Sequence, residues 1–273
     1  MNMKSKENTK KKKKKHDLAD ILYFLKENLA DCIYMYIDIK KYSLFNDNMK
    51  VWINRENNTG KIKTVLMKYY DSMQIATTEE QEQTKWLADF LQSNPVSMIS
   101  GRESLIQKLS LSMAKDYDSI YGMVYRINEY RIFEGTEKIE TATLDDCEEI
   151  ACLICSDEAF QNNYKIKELE HQLRERMETG MGRNVIIRKD GKIVAHIATY
   201  AEYENIAVTS GLIVDAHYRK EGYGFVIESY LVNTLLREGK EIYTFVIEPK
   251  RAALLNAMGA ELCSKYGKMT KRN

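Results

Sequence analysis

A short basic turn that contains two glycines places the strongest constraint on the fold of this chain. An apolar run, Ile206–Val214, leads into the turn, and an apolar-periodic helical stretch, 224–236, leads out of it. Between them lies the pattern Arg219-x-x-Gly222-x-Gly224. A strand, a glycine turn and a helix start aim several backbone N–H groups and the positive end of the helix dipole at one point. The sequence therefore predicts a phosphate site built on a strand–turn–helix unit.

Further strand and helix signals lie on both sides of this turn. Asp190-Gly191 between two apolar stretches is typical of a type I′ β-hairpin, and Thr143 before two acidic residues marks a helix start. The predicted elements are, in order, a strand at 139–142, helices at 147–155 and 164–179, strands at 184–188, 192–200 and 206–214, a helix at 224–236, a strand at 241–247, a helix at 250–258 and one or two strands within 260–270.

The turn and the order of elements around it resemble the GNAT superfamily, the GCN5-related N-acetyltransferases. The resemblance covers residues 137–271, about half of the chain. It implies an α/β (α+β) GNAT fold, in which helices flank a central mixed sheet. It also implies acetyl-CoA as the co-substrate.

The resemblance further implies where coenzyme A binds. In the family the fourth strand carries a bulge and splays away from the fifth, and the pantetheine arm lies in the gap. The matching strand here is 206–214, so the backbone of Leu212, Ile213 and Val214 is expected to face the pantetheine and the thioester, where an N–H group stabilises the oxyanion. The other expected contacts, mostly with the diphosphate, are Arg219, Lys220, Glu221, Gly222, Tyr223, Gly224, Phe225 and Asn256.

The catalytic groups are less clear, because the chain departs from the family pattern. With the helices aligned on Gly259, Leu255 occupies the position of the tyrosine that often protonates the departing thiolate. The candidate groups are then Tyr243 as the acid, with Glu204 and Glu248 as bases. Other residues that remain open for a role are Glu202, Tyr218, Tyr266 and His196.

The first half of the chain has no glycine-rich phosphate loop and no catalytic motif. Residues 1–16 are predicted to be a disordered Lys-rich tail, 17–133 a smaller α/β domain and 134–273 the GNAT domain. The smaller domain resembles a degenerate GNAT unit, an arrangement similar to glycine N-acyltransferase-like proteins. Its predicted elements are helices at 18–28, 77–91 and 100–114 and strands at 33–39, 50–54, 62–69, 96–99 and 121–130.

Charge and cysteine content limit the class of protein. The formal net charge is +1, but residues 1–15 contribute +7, so the remainder carries −6. Because general nucleic-acid binding needs a basic surface, no nucleic-acid partner is expected. No apolar run approaches the roughly 20 residues that span a membrane, and an odd number of cysteines, five, favours a cytoplasmic protein with reduced thiols. The spacing Cys152-x-x-Cys155 within an apolar helix indicates core cysteines, and no metal site is expected.

Three functions are compatible with these patterns. The leading hypothesis is an acetyl-CoA-dependent N-acetyltransferase that acts on a primary amine of a small molecule, amino acid or peptide by direct attack in a ternary complex. Leu255 favours the alternative, a non-catalytic acyl-CoA-binding or regulatory protein. In a third, the basic tail docks the protein on ribosomes or RNA and a protein N-terminus is acetylated. The acceptor, the acyl chain length and the oligomeric state stay open, and a homodimer is compatible with the sequence.

Overall fold

The computed structural model describes residues 17–44, 46–78, 80–131, 138–157 and 165–272, without the side chains of 80–83. The predicted tail, 1–16, lies outside these residues. The chain forms two compact units that are not contiguous in sequence. The first combines the chain up to Val124 with Val246–Ala252 and Cys263–Asn273, and the second combines Tyr125–Phe245 with Ala253–Leu262. None of the described helices has the length and apolar character needed to cross a membrane.

The first unit is a mixed sheet covered by helices. Its strands are ordered β1-β2-β3-β4-β11-β5, with β3 parallel to β4 and β11 antiparallel to β4. Helices α3 and α4 pack on this sheet through a core that includes Leu66, Ile75, Leu105 and Met269. The elements are α1 (17–27), α2 (Leu29–Tyr42), β1 (Met49–Arg55), β2 (Ile62–Tyr69), β3 (Ser72–Thr77), α3 (Glu80–Ser93), β4 (Met98–Arg102), α4 (Glu103–Met113), β5 (Tyr117–Ile127) and β11 (Glu261–Lys271).

One predicted strand of this unit is wrong. The stretch 33–39 is part of helix α2, although its isoleucines and Met35 alternate as in a strand. Cys32 and Tyr36 are buried as well, so burial at 32–33, 35–37 and 39 follows a helix that is covered on most sides. A short apolar run does not distinguish such a helix from a buried strand. Strand β3 was not predicted, and β4 and α4 begin two to three residues later than expected.

The second unit has the element order predicted from the sequence. The elements are β6 (Ile139–Thr141), α5 (Cys147–Cys155), α6 (Ile166–Glu178), β7 (Asn184–Lys189), β8 (Lys192–Tyr203), β9 (Ile206–Val214), α7 (Tyr223–Arg237), β10 (Glu241–Val246) and α8 (Pro249–Ala257), before the single final strand β11. The strand order is β10-β9-β8-β7-β6, antiparallel throughout except for β10 and β9, which are parallel.

Local signals in this unit formed as predicted. Asp190 and Gly191 both adopt positive φ, as a type I′ turn requires. Thr143 and Asp146 form a reciprocal capping box, in which the Thr143 N–H donates to Oδ2 of Asp146 over 2.7 Å. Helices α5 and α6 pack on one face of the sheet through a core that includes Ile186, while α7 packs on β7, β8 and β9.

The two units share one order of elements. In each, two helices precede three antiparallel strands, and a helix then leads to a strand that is parallel to the third. The predicted fold class, mixed α/β with a second GNAT-like unit, is therefore confirmed. In the first unit the parallel pairing reaches Ile75 and Gly101, where an added Cβ on Gly101 would lie 2.9 Å from the Ile75 carbonyl oxygen. The two strands are in close contact at this point.

Candidate functional site

Strands β9 and β10 form a fork in the second unit. Their parallel pairing starts at Ile206 and Glu241 and ends at Thr209 and Thr244, although β9 continues to Val214. Two threonine hydroxyls close the paired part, because Thr209 donates to the Tyr243 carbonyl (3.4 Å) and Thr244 donates to the Thr209 carbonyl (3.2 Å). Residues 210–214 therefore form one arm of a gap that opens at the carboxyl end of β10.

A β-bulge bends this arm. Opposite strand β8, the register passes from His196–Ile213 to Ala198–Ser210, so β9 contains one extra residue in this interval. Gly211 lies in the bulge with φ +68°, a conformation that favours glycine. Strand β8 has a compensating irregularity at Tyr200, which restores the register beyond the bulge. The bulge and the splayed arm match the geometry expected of the fourth strand in the GNAT pattern.

The His196 side chain contacts the bulge through the Gly211 carbonyl. Its side chain is fully buried, with Nδ1 2.9 Å from the Gly211 carbonyl oxygen and Nε2 2.8 Å from the side-chain amide of Asn184. Burial lowers the pKa of His196 to about 4, so the imidazole is neutral near pH 7. The two nearby atoms, the Gly211 carbonyl oxygen and Oδ1 of Asn184, both accept hydrogen bonds, so the single N–H of the neutral imidazole donates to one of them according to its tautomer.

The turn after β9 is held together by side chains. The Asp215 carboxylate accepts the backbone N–H of His217 (2.8 Å), and this bond helps to hold the pKa of Asp215 below its usual range. The Arg219 guanidinium donates to the Val214 carbonyl (3.2 Å) and to Oδ2 of Asp157 (2.5 Å). The side chain of Arg219 thus connects the turn to Asp157, just after the end of α5.

The N-terminus of α7 presents unpaired donors beside this turn. The first intrahelical bond runs from the Val226 N–H to the Gly222 carbonyl (3.0 Å), so the N–H groups of the three residues between have no partner within the helix. Gly222 is exposed and adopts φ +88°, and an added Cβ would have no atom within 4 Å. Space therefore surrounds Gly222 on the side where a side chain would project.

The structure separates the three predicted catalytic residues. The Tyr243 hydroxyl lies 3.2 Å from the Glu241 carboxylate, at the start of β10, whereas the gap opens at its other end. Glu204 is an exposed turn residue two positions before β9 begins at Ile206, and from there the strand runs about 13 Å to residue 210 at roughly 3.3 Å per residue. Glu248, also exposed, follows the carboxyl end of β10, and its backbone carbonyl accepts the Ala252 N–H at the start of α8. Tyr243 and Glu204 therefore lie away from the open end of the gap.

The remaining candidates have defined surroundings. Leu255 is fully buried on α8, and its neighbour Asn256 is exposed. Burial raises the pKa of Glu202, but hydrogen bonds and charge from Arg183 outweigh it and hold the pKa below the usual range. Glu202 is therefore an ion-pair partner of Arg183 and Lys240, with 3.2 Å between its Oε1 and the Lys240 Nζ.

Aromatic and thiol candidates lie elsewhere. The rings of Tyr218 and Tyr223 meet edge to face, and burial raises the pKa of Tyr266 to about 12. The cysteines of α5 were predicted to lie in the core. Cys147 is buried, but Cys152 is exposed, so the prediction is correct for Cys147 and wrong for Cys152. In the part of the chain that the structure describes, no three His, Cys, Asp or Glu residues are grouped as a metal would require.

Sequence reasoning missed one pair at the bulge. Arg176, near the end of α6, stacks its guanidinium 4.3 Å above the ring of Tyr200. The Tyr200 hydroxyl lies 3.2 Å from the position that a Cβ on Gly211 would take. Tyr200 closes the predicted strand 192–200 without any special signal, and only a register irregularity places it here.

Comparison with known proteins agrees with this geometry. Residues 147–257 match the family described as acetyltransferase (GNAT). A Drosophila protein superposes with a TM-score of 0.68 at 10% identity, covering 94% of this chain and 96% of that one. A tandem GNAT protein from the clavulanic acid biosynthesis pathway superposes with a TM-score of 0.58 at 10% identity, covering 93% and 94%. A GCN5-related N-acetyltransferase from Sphaerobacter thermophilus gives 0.56 at 14% identity, covering 85% and 84%.

At these identities the structures establish the fold alone, and no curated protein sequence matches the chain. The likeness to glycine N-acyltransferase-like proteins stays a prediction. The GNAT fold supports a function of acetyltransferase type. The segment 147–257 is a domain of the GNAT acetyltransferase family, within a chain whose fold matches that of tandem GNAT proteins.

Proposed function

We propose that this protein is an acetyl-CoA-dependent N-acetyltransferase that acts on a primary amine. The observation that carries the proposal is the bulged, splayed arm of β9 followed directly by the open N-terminus of α7. The nitrogen lone pair of the amine attacks the thioester carbonyl carbon and the C–S bond breaks. The amine loses one proton and the departing thiolate gains one, so the products are an N-acetyl amine and coenzyme A.

The backbone of the arm suits the thioester. The Asp215 N–H donates to the Val194 carbonyl (2.9 Å) and therefore points towards β8. Because N–H groups alternate sides along a strand, those of Val214 and Leu212 are directed towards the gap and that of Ile213 towards β8. An N–H at the gap stabilises the oxyanion that forms when the amine attacks.

The loop suits the diphosphate. Backbone N–H groups at Tyr223, Gly224 and Phe225 have no helical partner, and the positive end of the α7 dipole adds to them. A Cβ on Gly224 would lie 3.4 Å from the Val214 side chain, so a larger side chain at position 224 would crowd the surface proposed for the diphosphate. Lys220 and Glu221 are exposed beside this surface.

The proposal also includes the location of the protein, its domain division and its proton-transfer groups. The five cysteines are all free thiols, which supports a cytoplasmic protein. Residues 17–133 and 134–273 remain the proposed folding domains. Glu248 is retained as the proposed base, together with Glu204 and Tyr243 as weaker candidates for proton transfer.

The first test is calorimetric titration with acetyl-CoA of the wild-type protein and Gly222→Trp. The matched control is Gly239→Trp, because Gly239 has φ +73° and equally open surroundings at the other end of α7. We expect micromolar binding by the wild type and the control, and at least about tenfold weaker binding by Gly222→Trp, since loss of one charged contact set costs over 1.4 kcal/mol.

Turnover is then measured as thiol release with a panel of amines. Absence of acetyl-CoA binding in the wild type would refute the proposal. Binding without turnover of any amine would instead support a non-catalytic acyl-CoA-binding protein.

A further inference from the structure

Arg176 is a partly buried cation that has no carboxylate partner among the described residues. It lies two residues before the end of α6, where the Met181 N–H donates to its carbonyl (2.9 Å) and fixes its backbone. Its guanidinium stacks on Tyr200 and donates one hydrogen bond to Oε1 of Gln172 (3.2 Å). Among the described residues, no carboxylate forms an ion pair with it.

Four other arginines of this unit differ in this respect. Each of them has a carboxylate within 4 Å of its guanidinium: Arg174 pairs with Glu170, Arg183 with Glu202 and Glu238, Arg188 with Asp146, Glu149 and Glu140, and Arg219 with Asp157. A guanidinium has five N–H donors, and Gln172 takes one of those on Arg176. The Tyr200 ring stacks on the face of the guanidinium, whereas carboxylates bind a guanidinium at its edge.

This cation is connected to the candidate active site through one side chain. Tyr200 is the extra residue of β8 between the pairs Thr199–Thr209 and Ala201–Val208, and its hydroxyl lies beside Gly211. The backbone arm that follows Gly211 is the proposed thioester site. The Tyr200 ring therefore connects the Arg176 guanidinium to Gly211, the bulge residue after which the proposed thioester site begins.

We infer that the acceptor is an amine that also carries a carboxylate, and that Arg176 binds this carboxylate while the amine reaches the thioester. The inference rests on the proposed acetyltransferase function and narrows its substrate class. A carboxylate matches one guanidinium edge in charge and shape. A phosphate dianion fits less well, because Glu175 and Glu178 are exposed on the same helix and repel a second negative charge. Anchoring at the carboxylate also orients the amine, which lowers the entropic part of the barrier.

The test compares acceptors that differ only in this charge. Free α-amino acids and their methylamides are assayed as acceptors by thiol release at saturating acetyl-CoA, for the wild type and Arg176→Gln. We expect the wild type to prefer the free amino acids. In Arg176→Gln the KM for them rises about 10- to 100-fold, the range of one charge-assisted contact, while values for the methylamides change little.

Arg174→Gln is the matched control. Arg174 lies two residues away on the same helix and pairs with Glu170, so its loss should leave both acceptor classes unaffected. Arg176→Lys keeps the charge without the planar fork and should recover part of the affinity. Calorimetry with acetyl-CoA and a thermal melt show whether each variant is folded and binds the co-substrate.

Three outcomes are distinguishable. Selective loss of amino-acid affinity in Arg176→Gln, with acetyl-CoA binding unchanged, supports the inference. Equal or better turnover of the methylamides by the wild type, or equal loss for both classes in Arg176→Gln, overturns it and leaves the acetyltransferase function intact. Failure of the wild type to bind acetyl-CoA overturns both.

Discussion

Replacing His196 with glutamine should remove a specific part of the pH dependence of folding. In the folded protein the imidazole is buried between Gly211 and Asn184, and burial lowers its pKa from 6.5 to about 4. In the unfolded chain the imidazole binds a proton below about pH 6.5. Between these two values the unfolded state holds more protons, so the free energy of unfolding falls as the pH falls. Glutamine can still hydrogen bond at this position but does not titrate.

The expected magnitude follows from the two pKa values. Each pH unit between them changes the free energy of unfolding by about 1.4 kcal/mol for one group. At about pH 5, roughly 1.5 units below 6.5, His196 therefore lowers stability by about 2 kcal/mol relative to neutral pH. Other groups titrate in the same range; burial raises the pKa of Asp38 to about 7, which acts in the opposite direction. Their contributions cancel when the variant is compared with the wild type.

The assay is urea unfolding of the wild type and His196→Gln from about pH 8 to about pH 5, where the difference predicted above develops. We expect the stability of the wild type to fall by about 2 kcal/mol more than that of the variant over this range. His171→Gln is the matched control, because His171 is exposed on α6 and its replacement should leave the curve unchanged. Parallel curves for the wild type and His196→Gln would refute the assignment of a buried neutral imidazole that fastens the bulge.

Two further predictions concern groups that hold the second unit together. Glu202→Gln should destabilise the protein by about 1–3 kcal/mol at neutral pH, because it weakens the ion pair with Arg183 in a half-buried site. The Glu202 pKa is depressed on folding, so this loss should vanish as the pH falls through it in acid unfolding curves. Gly182→Ala should cost more than the roughly 1 kcal/mol expected for Gly60→Ala, because its Cβ would lie 2.2 Å from the Thr199 carbonyl oxygen, whereas Gly60 has open space. Thermal melts of both glycine variants measure this, and equal melting temperatures would contradict the steric argument.

The fold of the second unit could be predicted because its signals are local. The positive φ values at Asp190 and Gly191, the capping box at Thr143 and the start and end of β9 depend on adjacent residues. The first unit shows the opposite case at the turn between β2 and β3. Tyr70 there adopts φ +50° although it is neither glycine nor asparagine, so the turn carries only the weaker signal of Asp71, and β3 was missed.

In the candidate site, too, the local motif could be predicted from the sequence and the side-chain positions could not. The loop around Gly222 is a continuous motif, and its position between β9 and α7 could be predicted. The catalytic candidates were selected by residue type near strand ends, and the sequence does not show which end of a strand a hydroxyl such as that of Tyr243 approaches. The pair of Arg176 and Tyr200 depends on a register irregularity and a helix end meeting in space, for which no sequence spacing exists.

The absence of the usual acid at Leu255 does not count strongly against catalysis. A thiol such as that of coenzyme A has a pKa near 8.5, so its thiolate is a stable leaving group close to neutral pH and solvent can supply its proton. An ammonium acceptor must lose a proton before it can attack, and the oxyanion must be stabilised while the C–S bond is still intact. The first requirement is met by a base near the acceptor amine, and the second by the backbone N–H groups of the bulged arm. Leu255, fully buried on α8, thus replaces the group that the reaction needs least, whereas the bulge held by His196 provides the geometry that it needs most.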